Sequence, residues 1–556
     1  MDKRFLLALL LSAVVIGVTP WLFPTPKPPA TATAVSGVAT PPQPAAASPV
    51  AITQGSPSNS AVQQQPVLTA SVPAPAPRAD TLFISTPRVE YGFSALGAAP
   101  VFVGVKAYQN QRKPREIVSL TSGQLPLLRF RLISESDTLP LNQTVFTSSR
   151  SQAANGAEIV EFRGNAGSAS VTIRYTLDTA GYAAHVDGTV SGVASPAFLL
   201  IDLPTTLPSA ESDSTQDLGH LAYAFKPRND NASSIGFSKL DPGESKLEPG
   251  PLTWAAVKNK YFVLGVLETK SGPPFSEALF VGGPRSSKIV TEAAATLVQP
   301  VRNGTFGFDL YAGPQEWKQL ISMGRDFDHV NPYGWSFMRG IVQPVAALVI
   351  QSLLWMHQVL KLSYGWVLVI FGVAIRILLW PLNQKAMRSQ LKLQEMQPRL
   401  QEVQKKYQNN PEKQREEIMK VYRDSGSSPL APLAGCLPML IPMPIFFALF
   451  FVFQNTIEFR GVPFLWLTDI SVKDPFYILP LLMGISMFLL SWVGMRNSPP
   501  NPQAKMMGYV FPVMMTVMLA NMASGLNLYY TAQNFAAIPQ QWLIARERGR
   551  QKAPAK

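Results

Sequence analysis

The chain has 556 residues, 47% of them hydrophobic, with a net charge of +13 and one cysteine. The lone Cys436 excludes an intramolecular disulfide and a cysteine-ligated metal, and four histidines leave little scope for a histidine-ligated one. The sequence holds no phosphate-binding glycine loop, zinc-protease motif or nucleophile elbow, so the reading is of a protein without cofactor or metal that is not an enzyme.

Residues 5–23 form an apolar run behind Asp2, Lys3 and Arg4, long enough to cross the roughly 30 Å of bilayer hydrocarbon. They predict an uncleaved anchor over 1–23, with a cleaved signal peptide as the rival reading. Residues 24–80 are rich in Pro, Ala, Ser, Thr and Gln and cannot bury a core, which predicts a disordered tether.

From 81 to 323 the pattern is β. The stretch from Val171 to Leu177 alternates apolar and polar, and similar short runs recur at 101–103, 260–264 and 306–311 between Gly, Pro, Asn and Asp punctuation. Many short strands with little helical signal predict an all-β sandwich, closed by a short helix over 314–323. Residues 324–363 hold Val342, Val345, Leu348, Val349, Leu353, Met356 and Val359 broken by Gln343, Gln351, Gln358 and Lys361, the pattern of an amphipathic helix lying on the bilayer surface.

A second span is predicted over 364–384, a cytoplasmic helical hairpin over 385–428, and four further spans over 429–545 before a basic tail at 546–556. Ala386, Leu393, Leu400 and Tyr407, with Met396 and Val403 between them, form a coiled-coil seam. Pro398 should kink or restart the first hairpin helix, Asn410 suits an N-cap, Pro411 the first helical position and Gly426 the end. Nearly all of the +13 lies in the N-terminus, the hairpin, the Arg496–Lys505 loop and the tail, which an N-in, C-in arrangement of six spans puts in the cytoplasm. The β domain is then periplasmic, and charge confined to loops predicts no direct binding of nucleic acid.

Arg376 sits inside the apolar run 366–380, where a charge costs on the order of 3 kcal/mol or more. Snorkelling to the cytoplasmic interface is one reading of it. In the last span Asn527, Thr531, Asn534 and Gln541 fall on one polar stripe, flanked by Tyr530 and Gln533. Interhelical hydrogen bonding would explain the stripe alone; stripe and arginine together predict a hydrated groove in the bundle, formed by these seven residues. A secondary transporter of an anionic solute, with Arg376 as ligand, is the alternative, but it calls for carboxylates in the bundle and internal repeats. A periplasmic scaffold with a mere membrane anchor leaves the arginine and the stripe without a reason.

The segment Gly435-Cys436-Leu437-Pro438-Met439-Leu440-Ile441-Pro442-Met443-Pro444-Ile445-Phe446 resembles the third span of the YidC/Oxa/Alb insertase family. Asp474-Pro475-Phe476-Tyr477-Ile478-Leu479-Pro480, Ser524-Gly525-Leu526-Asn527-Leu528-Tyr529-Tyr530, Arg376-Ile377-Leu378-Leu379-Trp380-Pro381-Leu382 and Tyr311-Ala312-Gly313-Pro314 are similar to further motifs of that family, in the same order. The resemblance implies an α-helical polytopic membrane bundle with a periplasmic β-supersandwich of the sugar-mutarotase type, in the bacterial inner membrane. It implies an insertase and chaperone for nascent membrane proteins, working alone or with the Sec translocon. Ribosomes and targeting factors would dock on the hairpin and tail, and Arg376 would lie in a hydrophilic groove open to cytoplasm and lipid. Pro442 stands where relatives often carry a groove glutamine, which implies a less polar wall on that side.

Overall fold

The computed structural model of the chain describes residues 81–552 except 115, 122–125, 136, 271, 286–288, 332, 335–336, 425–442 and 496–501. The expected anchor and tether, Cys436, Pro442, Gly426, Arg496 and the last residues of the basic tail lie outside the described residues, as do the side chains of Ala386 and Leu393 in the hairpin seam.

In the strand Ala169–Leu177 the side chains of Val171, Ile173, Tyr175 and Leu177 are buried while Ser170 and Arg174 are exposed, the alternation that its sequence carries. It belongs to a 14-stranded antiparallel sheet that runs from the edge strand Thr147–Gln152 through Glu158–Ala166, Ala169–Leu177, Ala183–Ser191 and Thr305–Pro314 to Phe262–Glu268 and beyond. A 4-stranded sheet of Thr81–Ser85, Val89–Ser94, Ala99–Gln109 and Ile117–Ser119 packs against it. Phe93 from the small sheet meets Tyr175 at 4.8 Å and Phe162 at 6.1 Å between ring centroids, so one aromatic core joins the two layers. All seven residues of Phe262–Glu268 are buried, as a strand covered on both faces should be. The expected all-β sandwich followed by membrane-type helices is the fold observed.

Within and after the sandwich come α1 (Ser214–Leu218), α2 (Trp317–Met323), α3 (Arg339–Leu360), α4 (Tyr364–Leu378), α5 (Trp380–Lys406), α6 (Pro411–Asp424), α7 (Met443–Asn455), α8 (Ile478–Met495), α9 (Pro502–Leu519) and α10 (Ser524–Lys552). Among the described residues two helices, α3 and α8, are long and apolar enough to cross a membrane, and α4 and α7 are shorter apolar helices. In α3, Val342, Ala346, Val349, Ile350 and Leu353 are buried, while Ile341, Leu348, Trp355 and Val359 stand exposed on another face. In the hairpin Met396 and Tyr422 are buried against Leu400, Ile418 and Val421, and the Asn410 side chain accepts from the Lys413 N–H at 3.1 Å as an N-cap. Of the two outcomes expected at Pro398, a restart is not what happens: α5 runs through it. Pro398 is exposed, so water can take the carbonyl that its missing N–H leaves free.

The segment between α7 and α8 ties the sandwich to the helices. The Asp474 carboxylate is fully buried and caps α8, accepting from the N–H groups of Phe476 at 3.0 Å and Leu479 at 2.7 Å and from the Trp466 indole at 3.3 Å. Asp469 accepts from the Gln111 amide of the sandwich at 2.9 Å, and Glu458 accepts from the Trp317 N–H of α2 at 3.3 Å. The same segment supplies the Val472 and Ile470 carbonyls that receive the first N–H groups of α10, those of Ser524 at 2.7 Å and Gly525 at 2.9 Å.

Candidate functional site

α10 is the central helix, packed between α4 on one side and α8 on the other. It runs parallel to α4, and two contacts fix their register. A Cβ on Gly372 would sit 3.1 Å from the Tyr529 carbonyl oxygen, so the absent side chain lets the backbones approach. Further along, the Gln540 amide donates to the Trp380 carbonyl at 3.1 Å. Arg376 lies one helical turn after Gly372 and one before Trp380, which puts it level with Gln533 and Ala536 of α10. Tyr529, Gln533, Ala536 and Gln540 follow i, i+4, i+7, i+11 spacing, so one face of α10 looks at α4.

Along that face hydrogen-bonding capacity goes unused. The Tyr529 hydroxyl, the Arg376 Nε and the Gln540 Oε1 are each buried with no hydrogen-bond partner. The Tyr530 hydroxyl is in the same state, with its ring 5.7 Å from Phe446 of α7 and 5.1 Å from Tyr529. Among the described residues no carboxylate pairs with Arg376. Buried polar atoms are normally bonded, and each one that is not costs about 1–3 kcal/mol. Four such atoms lie on α4 and α10 along this part of the bundle.

The polar stripe from Asn527 to Gln541 divides between interfaces. The Asn534 amide donates to the Ser486 hydroxyl of α8 at 3.1 Å. Gln541 packs its amide on the bare backbone of Gly494, also on α8. Asn527 is fully buried and donates to the Leu519 carbonyl at 3.0 Å, satisfying the C-terminal end of α9. Thr531 bonds back to the Asn527 carbonyl at 2.7 Å within its own helix. So Asn527, Asn534 and Gln541 hold α8 and α9 to α10, the interhelical role. Gln533 falls on the α4 face, whereas Tyr530 is turned about 100° from Tyr529, towards Phe446 of α7. Tyr529 and Gln540 also lie on the α4 face and were missed by the sequence reading, which followed the spacing from Asn527 alone. The spacing of Tyr529, Gln533 and Gln540 was the available signal.

Two sequence-family models match the chain. The one described as YidC periplasmic domain covers residues 81–348, and the one described as 60Kd inner membrane protein covers 355–552. Membrane protein insertase YidC of Anaeromyxobacter dehalogenans is 30% identical over 465 residues, 81% of this chain and 81% of its own. Membrane protein insertase YidC of Bordetella avium is 28% identical over 498 residues, 87% of this chain and 86% of its own. A crystal structure of active YidC insertase with the first transmembrane domain resolved is 17% identical, covers 84% of this chain and 93% of its own, and superposes with a TM-score of 0.33. The family consists of insertases rather than enzymes. By the two matched regions and by 30% identity across most of a relative's length, the chain belongs to the YidC family of membrane protein insertases, inner-membrane proteins with a periplasmic domain.

Proposed function

We propose that this chain inserts nascent proteins into the inner membrane through a hydrated groove between α4, α7 and α10 that carries one positive charge, Arg376. The observation that carries the reading is the set of buried, unbonded polar atoms of Arg376, Tyr529, Tyr530 and Gln540, within a bundle whose outer surface is apolar. A client segment brings a short polar or acidic tail that is expensive to move through hydrocarbon. Water and polar groups in the groove shorten the apolar path, and the guanidinium attracts the tail. The apolar part of the client then leaves sideways into lipid, where burial favours it. The step makes and breaks no covalent bond and needs no nucleotide.

The rest of the reading follows the charge pattern and the family. The bundle has six spans, N-in and C-in, with the sandwich in the periplasm. α3 lies on the bilayer surface, one face on the bundle and the Ile341, Leu348 and Trp355 face in lipid, which their exposure supports. The hairpin of α5 and α6 and the basic end of α10 receive ribosomes and targeting factors, and the Sec translocon is a partner for larger clients.

A photocrosslinker at position 533 tests the groove directly. During synthesis of a small membrane protein it should form adducts with the nascent chain, while one at position 534, turned towards α8, should not. Equal adduct yields at the two positions would place the client path elsewhere.

A further inference from the structure

The chain leaves the sandwich along the outer face of the large sheet, and one row of that face holds it down. Lys226, Trp254, Leu267, Asp309 and His185 stand opposite one another on five neighbouring strands, so their side chains share a face. Residues 324–327, between α2 and α3, lie across this row as a strap. The Arg325 guanidinium donates to Asp309 at 2.6 Å, and the Arg325 carbonyl accepts from the Trp254 indole at 3.0 Å. Asp326 pairs with Lys226 at 3.4 Å, and the buried Phe327 ring packs edge-on against Trp254 and Tyr311 above the bare backbone of Gly265. Arg325 and Asp326 sit at φ 58° and 55°, a backbone that crowds an L side chain. Such a corner persists only while the side chains around it hold it. The Asp309 contact is shared. One carboxylate oxygen takes Arg325, whose Nη1 is buried without a partner, and the other meets the His185 ring at 2.7 Å. The His185 side chain is 48% exposed, so a proton can reach it from solvent. The remaining charges on this face are Asp187, two residues along the same strand, and Arg174 opposite Asp187, itself paired with Glu161 at 2.7 Å.

We propose that His185 is a proton switch on this strap: with the ring protonated, Asp309 turns from holding Arg325 to holding the histidine, and the corner 324–326 loosens where the β domain hands the chain on to α3. The sign follows from linkage. The hydrogen bond to Asp309 raises the His185 pKa above the ordinary histidine value, with burial opposing it, Asp187 adding to the rise and Arg325 working against it. Withdrawing Arg325 removes an opposing charge, so the ring holds its proton more tightly with the strap open than with it closed. Coupling between two equilibria is reciprocal, and protonation therefore favours the open strap. The sheet beneath responds the other way. Because the folded value is raised, protonated His185 stabilises the folded domain below the ordinary histidine value, and that contribution is lost as pH rises through the folded one. Acid thus opens the strap without unfolding the sandwich, and of the side chains in the row only the histidine changes charge in mildly acidic solution.

The test is amide hydrogen exchange of the full-length protein in lipid nanodiscs. The N–H groups of Phe327 and His329 are bonded to the carbonyls of Gly324 and Asp326, each at 3.0 Å, so their exchange reads the corner. At each pH the native chain is compared with His185→Asn, which keeps a donor for Asp309 and takes up no proton, so that the intrinsic pH dependence of exchange cancels. The ratio of native to variant exchange at 327–329 should be close to one at about pH 8 and rise several-fold by about pH 5.5, while the strands of the large sheet keep the same ratio throughout. A ratio at 327–329 that stays constant, or a rise shared by the whole sandwich, overturns the proposal. A second measurement reads the coupling itself. Arg325→Met keeps the side-chain stem and removes the charge, and it should raise the His185 pKa, followed through the ring-carbon resonance of labelled histidine in the full-length protein. An unchanged or lowered pKa means that the proton and the strap do not sense each other, and it overturns the proposal as well.

Discussion

Arg460 and Glu211, 249 residues apart in sequence, meet in an ion pair of 2.8 Å with side chains 4% and 7% exposed. The guanidinium also donates to the Gln109 carbonyl at 3.0 Å and lies over the rings of Tyr108 and Phe262. Arg460 belongs to the segment that caps α8 and receives the start of α10, and Glu211 belongs to the sandwich. Through this pair the β domain holds the segment between α7 and α8.

Removing one partner of such a pair leaves the other charge buried alone, at a cost of about 3–5 kcal/mol. Arg460→Ala should therefore lower the thermal midpoint of the purified protein by several degrees and expose the 456–474 segment to protease. Replacing both partners, with Arg460→Met and Glu211→Leu, should recover most of that loss. The ratio of acidic to neutral client insertion should stay unchanged in these variants, because no groove residue is touched. A changed ratio would mean that the sandwich takes part in client selection.

The pair also fixes a pH dependence. Burial pushes the Glu211 carboxyl up to about 7, against the pull of Arg460 and Lys260 and with the help of Asp217. Burial pushes Glu458 up to about 7 as well, with Glu316 adding to the rise and Lys318 opposing it. A carboxyl whose folded value lies above its unfolded one binds its proton more tightly when folded. Its contribution is complete below about pH 4.5 and is lost as pH rises through about 7. The stability of the native chain should therefore fall between pH 5 and pH 8 relative to a Glu211→Gln, Glu458→Gln variant, read as the difference between their melting points. His220, which burial pushes down to about 4, has the opposite slope and cancels in that difference. Parallel curves for the two proteins would remove these glutamates from the account.

The topology has a direct test in a Cys436→Ser background. Glu244 is exposed on the sandwich and Glu412 is exposed on the hairpin. A membrane-impermeant maleimide applied to intact cells with a permeable outer membrane should label Glu244→Cys and leave Glu412→Cys unlabelled until the cells are broken. Labelling of Glu412→Cys from outside would reverse the assignment made from the basic loops.

What could be read from the sequence was what short-range periodicity encodes. Alternation from Val171 to Leu177 is a strand with those side chains inside, and Asn410 before Pro411 is a capped helix start. Arg376 stood out because its neighbours are apolar. Long-range partners had no such signal: nothing local to Arg460 points to Glu211, and Gln540 looks like any polar residue until Trp380 is placed beside it. The stripe of Asn527, Asn534 and Gln541 was visible as a face, but a helix with neighbours on two sides has two polar faces. Asn527 and Tyr529, two residues apart, point about 200° apart around α10. Which of the faces meets α4 was decided by Gly372, where the missing side chain lets Tyr529 come close.

The central claim is that the positive charge of Arg376 recruits acidic client tails into a wet groove, and one comparison tests it most directly. Insertion of a client with an acidic outer tail and of the same client with a neutral tail is measured for the native chain, Arg376→Lys, Arg376→Ala and Arg376→Glu at equal amounts of folded protein. Charge recruitment predicts that lysine retains most of the activity, alanine impairs the acidic client more than the neutral one, and glutamate nearly abolishes insertion of the acidic client. A requirement for the planar fork would instead make lysine as poor as alanine. Loss of both clients to the same extent in the alanine variant, or insertion of both at native levels, would contradict the claim.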